Sequence, residues 1–124
     1  MLSRNWIALN GLSYILSYSI HMASSKDFLE FVLEQLSDLN DITYRAMMGE
    51  FIIYYHGKVI GGIYDNRLLV KPTETVLKIV FPATMEIPYS KGTPMLMISD
   101  IENKDLMLKV FDTIYSELPD PKKH

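Results

Sequence analysis

The chain contains no cysteine. Disulfides, thiolate nucleophiles and thiolate-ligated metals are thereby excluded, and the absence fits a reducing, cytoplasmic compartment. Histidine is scarce as well. His21, His56 and His124 lie more than thirty residues apart. No His-Glu-x-x-His spacing exists and no cluster has zinc-ligand spacing, so no metal and no cofactor is expected. A basic excess is also missing: 12 Lys and Arg stand against 15 Asp and Glu, for a net charge of -3. That balance argues against a strong electrostatic nucleic-acid binder. No run approaches the roughly 20 mostly apolar residues of a membrane span. Internal repeats and low-complexity tracts are absent.

What is present suits a single globular domain. The 124 residues are 48% hydrophobic and 22% charged, enough to build a core without covalent staples. Charge is unevenly spread. Residues 24–40 and 100–118 are each net -3, whereas 41–91 is net +1. The acidic stretches read as solvated helix faces.

The opening "MLSRNWIALNGLSYILSYSIH" differs from the rest, with Arg4 as its only charge. It resembles a poor signal peptide, but Ile20 and His21 stand where a cleavage site wants small residues. A genuine N-terminal extension is a second reading. The preferred one is a leader or upstream segment, residues 1–21, outside the fold. Met22-Ala23-Ser24-Ser25 before an amphipathic helix has the form of a natural start.

A first helix is expected over Ser25 to Asp38. Ser24 or Ser25 caps it, and Phe28, Val32 and Leu36 make its apolar stripe. Four strands should follow, over Ile42–Ala46, Phe51–Tyr55, Val59–Tyr64 and Leu68–Lys71. His56-Gly57 and Asp65-Asn66 are tight-turn signals between them. Connections this short make the block an antiparallel meander. Thr73 then caps a short helix reaching Phe81. A second hairpin spans Met85–Tyr89 and Met95–Ser99, with Pro88 and Pro94 confining its strands to edges or ends. A last helix runs from Asn103 to Leu118. The order α-β-β-β-β-α-β-β-α predicts a two-layer α+β fold, with helices packed on an antiparallel meander sheet.

Catalytic patterns are wanting. "HGKVIGG" invites comparison with a phosphate loop, but its Lys follows the first Gly, no Ser or Thr comes after it, and a strand is next. No nucleophile elbow occurs. Glu30 and Glu34 lie one helical turn apart on a polar face and read as surface carboxylates. The eight methionines suit core filling, or an adaptable binding surface. Arg45, Lys58, Arg67 and Lys71 are the candidate binding residues, because strand alternation can bring some of them to one face. Arg45 is otherwise expected to pair with an acid such as Glu50, and Lys58 to be a solvated turn residue. Gly49, Gly61 and Gly62 read as bend, bulge or close-packing positions.

The stretch "TYRAMMGEFIIYYHGKVIGGIYDNRLLVKP" carries a resemblance. Arg45, Met47-Met48-Gly49, Gly57-Lys58 and Leu68 to Lys71 recur in the order seen in the N-terminal domain of the TfoX (Sxy) family. "PMLMISDIENKDLMLKVFDTIYSELP" is similar to that family's final strand and helix. The resemblance covers residues 22–124, as a stand-alone single domain. It implies an α+β fold in which Met48, Gly49, Gly57 and Gly62 are structural motif positions. It also implies a non-enzymatic bacterial regulatory or interaction module, linked to competence or transcription regulation and acting through a protein partner or self-association. The alternative expectation is a ligand- or nucleic-acid-binding domain that uses the basic residues of the sheet.

Overall fold

The computed structural model describes residues 24–89 and 92–120; the segment 1–21 and His124 lie outside them. Among the described residues the elements are α1 (Lys26–Gln35), β1 (Ile42–Met47), β2 (Glu50–Tyr55), β3 (Lys58–Tyr64), β4 (Arg67–Val70), α2 (Val76–Ile79), β5 (Met85–Glu86), β6 (Met95–Ile98) and α3 (Lys104–Glu117). This is the expected α+β order. All six strands join one antiparallel sheet, β1-β2-β3-β4-β6-β5. The second hairpin therefore extends the meander rather than standing apart from it.

Three two-residue turns lock the meander. Each has both central residues at positive φ: Met48 and Gly49 at 52° and 85°, His56 and Gly57 at 48° and 81°, Asp65 and Asn66 at 52° and 55°. Paired left-handed residues match the right-handed twist of the flanking strands. Gly49, expected as a bend or packing position, is thus a hairpin residue.

The resulting register sorts side chains between two faces. Ile53, Ile60, Ile63, Leu68, Val70, Leu96 and Ile98 enter one core with Leu29 and Val32 of α1, Leu36 just after it, and Met107, Val110, Phe111 and Ile114 of α3. Helices cover this inner face, which makes the two-layer arrangement. On the outer face Arg45, Ile52, Gly62, Leu69 and Met97 form a row of successive cross-strand partners.

Both long helices start on a side-chain cap. Ser25 Oγ accepts from the Phe28 N–H at 3.1 Å, and Asn103 Oδ1 accepts from the Leu106 N–H at 3.1 Å. Ser24 has another task. Its N–H donates to the Gly49 carbonyl (2.9 Å), and its hydroxyl accepts from the Asn66 N–H (3.0 Å) and donates to Glu50 (3.0 Å). One residue thereby ties the start of α1 to two hairpin turns. Helix α2 is a single turn rather than a helix from Thr73 to Phe81. Its preceding Thr75 makes no side-chain cap and instead donates its hydroxyl to Glu117 of α3. Helix α1 ends at Gln35, short of Asp38, and β5 ends two residues before Pro88, which cannot donate to a ladder.

Strand β3 runs unusually close to its neighbours. A Cβ on Gly61 would sit 2.2 Å from the Leu69 carbonyl oxygen, whereas one on Gly57 would meet nothing within 4 Å. Gly61→Ala is expected to cost about 1–3 kcal/mol by overpacking. Gly57→Ala should cost about 1–2 kcal/mol for its left-handed backbone alone. Urea denaturation of both variants checks this, and a larger loss in Gly57→Ala contradicts the close approach.

Candidate functional site

The four basic candidates do not assemble into one site. Lys58 is buried, not solvated, because β3 begins beneath the end of α3. Its ammonium donates to the Tyr115 and Leu118 carbonyls at 3.1 and 2.9 Å, lies 3.6 Å from Asp120, and sits 4.1 Å from the centre of the Tyr115 ring. It meets carbonyls at the end of a helix, where intrahelical partners run out: Tyr115 O also accepts from the Leu118 N–H at 3.4 Å, and Leu118 O accepts from Lys58. Arg67 is held on the outer face. It donates to Glu86 at 2.8 Å and to the Tyr64 carbonyl at 3.1 Å, with Asp65 3.7 Å away. Lys71 lines a cavity of 260 Å³ with Lys58, Gly57, Val59, Leu118, Pro119 and Asp120. Arg45 is exposed on β1, is not part of that cavity's lining, and forms no ion pair among the described residues. Glu50, its expected partner, stands opposite Met47 in the register and accepts from Ser24 and from the Asp65 N–H.

Around the β2–β3 turn an aromatic group forms. Tyr55 and Tyr115 have ring centroids 5.3 Å apart, and the His56 ring lies 4.5 Å from Tyr55. His56 is a turn residue, 41% exposed, with Nδ1 3.3 Å from Asp41. The Tyr55 hydroxyl donates to Asp112 at 2.7 Å. Burial, and then that carboxylate, push the Tyr55 phenol up to about 12. This group fastens β2 to α3. Among the described residues no set of three His, Asp or Glu side chains could hold a metal ion.

A larger concavity lies on the outer face. A groove of 430 Å³ is lined by Met47, Met48, Glu50, Ile52, Tyr64 and Tyr89. That volume falls within the roughly 300–1,000 Å³ of ordinary ligand pockets. Strand alternation brings Met47, Glu50, Ile52 and Tyr64 to this face. The segment after β5 supplies the far wall, with the Tyr89 ring 6.5 Å from Tyr64. Burial, then Tyr89 and Glu50, raise the Tyr64 phenol above its ordinary value, so it stays protonated and able to donate. Tyr89 is 60% exposed and Met48 95%. None of the four basic candidates lines this groove. The signal that could have found it was Met47-Met48 beside a turn glycine, an adaptable apolar pair where turns are usually polar.

No protein-family model matches the chain. The chain is similar to an uncharacterized 12.7 kDa protein in the trpE 5' region of Spirochaeta aurantia, at 26% identity over 102 residues, 82% of this chain and 89% of that protein. No helix among the described residues is long and apolar enough to cross a membrane.

Lys58→Met removes two charge-assisted hydrogen bonds and leaves the Leu118 carbonyl without its donor, so it should cost about 1.5–3 kcal/mol, whereas Arg45→Met should stay within about 0.5 kcal/mol; equal urea midpoints contradict the assignment. The Tyr55 contribution is whole below the ordinary tyrosine value of 10.0 and is lost as pH rises towards 12. Tyr55→Phe should therefore remove a late-ionising phenol from the tyrosinate absorbance titration and flatten the alkaline fall in stability. An unchanged titration end overturns that account.

Proposed function

We propose that this chain is a small non-enzymatic interaction module that receives an apolar segment of a protein partner in the outer-face groove. The observation that carries the reading is Met48. It occupies the first position of a turn whose backbone is left-handed, at φ 52°, and it is 95% exposed. Folding favours Asn, Asp or Gly there. A long apolar side chain gains no burial in that position and tolerates an unfavourable backbone. Such a local conflict is the kind that binding sites retain. Met47, Tyr64 and Tyr89 extend the surface with one adaptable and two aromatic side chains, the types that anchor protein contacts.

The TfoX-like motif order in residues 45–71 supports a bacterial regulatory setting, cytoplasmic and tied to competence or transcription. The reading through basic residues has less behind it. Lys58 and Arg67 are engaged within the fold, and among the described residues neither of the two concavities has both Arg45 and Lys71 in its lining.

Met48→Asn discriminates. It should raise stability by about 0.5–1 kcal/mol, because asparagine suits the turn. It should also abolish the binding of a partner captured from cell extract by the wild-type chain. A partner held equally by wild type and variant overturns the groove assignment. Salt-dependent retention of DNA or RNA, lost in Arg45→Met, would put the basic-residue reading in its place.

A further inference from the structure

The two edges of the sheet are unlike. β5 is two residues long, a short edge that offers little to pair with. β1 is six residues long, and all but Ile42 are exposed. It contains no proline and no lysine, its one charge is Arg45, and the register shift in the meander lies between β2 and β3 rather than here. Among the described residues, Arg45 is thus the one device on β1 that blunts an edge strand.

We propose that β1 pairs antiparallel with β1 of a second copy of this chain, about a two-fold axis through Tyr44. A two-fold axis normal to the sheet sets each residue against a partner on the same face, which restricts the registers. Centring on Arg45 puts like charges directly opposite, which is unfavourable. Centring on Thr43 leaves fewer strand residues paired. Centring on Tyr44 places Tyr44 against itself, Ile42 against Ala46, and Thr43 against Arg45. An aromatic pair then sits on the axis and neither arginine opposes the other. Tyr44 is 43% exposed, with its ring edge-on to Phe51 at 6.0 Å, so it is both accessible and backed by a neighbour. The product is a continuous twelve-stranded sheet with the helices of both copies on one side, an isologous and closed dimer.

The test is independent of the groove. Light scattering after size exclusion should give twice the 14.3 kDa chain mass for the wild type. Tyr44→Glu and Tyr44→Lys, each setting like charges across the axis, should each run as single chains with unchanged circular dichroism. Mixed in equal amounts, they should return to the doubled mass. Thr43→Lys, which places a second cation opposite Arg45 of the other copy, gives the same reading if Tyr44→Glu fails to fold. Three results overturn the proposal: a wild-type chain of single mass at concentrations on the order of 1 mM, a doubled mass that survives Tyr44→Glu, or charge variants that do not recombine.

Discussion

Everything in this domain depends on the register of the β1–β4 meander. A slip of one residue would exchange the two faces of a strand and send its core side chains to solvent. Three turns of two residues each, all left-handed at both positions, set that register, and a single bulge opposite Ile53 and Tyr54 offsets β2 against β3 by one residue. The close passage of Gly61 beside the β4 backbone adds a second restraint, because no side chain fits there. Once the register is set, Ile53, Ile63, Leu68 and Val70 point to the helices, and Ile52, Leu69 and Met97 point away.

The helices are then fastened at their ends as well as along their apolar stripes. Ser24 holds the start of α1 to the turns at Gly49 and Asn66, and Lys58 holds the end of α3 from the start of β3. Both are buried polar groups placed where helix termini or turns expose backbone partners. Satisfied in this way, each is worth about 1 kcal/mol or somewhat more, and each would cost more if left unpaired. The contacts span from 25 to 60 residues of sequence. They bring the two ends of the described chain onto the same meander.

This distance explains what could be read in the sequence and what could not. Element order, the apolar stripe of α1, and the His56-Gly57 and Asp65-Asn66 turns rest on local pattern, and they stand. The Met48-Gly49 turn escaped because methionine carries no turn signal. Lys58 read as solvated because the carbonyls it meets lie 57 and 60 positions away. Arg45 lacks the Glu50 contact because the register sets Glu50 against Met47, while Ser24 comes from outside the sheet to meet it. The wall formed by Tyr89 depends on how the chain returns after β5, and the Arg67–Glu86 pair on where β5 joins the sheet; no periodicity encodes either.

The two faces of the sheet thus carry different burdens. The inner face is closed by helices and accounts for the core. The outer face is partly covered at the Tyr64–Tyr89 end, and opens towards Met47, Met48 and the β1 edge. A two-fold dimer through β1 keeps both outer faces on one side of the extended sheet, because an axis normal to the sheet cannot invert it. Two methionine-lined grooves would then face the same direction on a rigid platform. A partner with two apolar segments would gain from such an arrangement through effective concentration, with no new contact in either groove. In that arrangement the exposed edge and the exposed methionines, each a liability in an isolated chain, serve one surface.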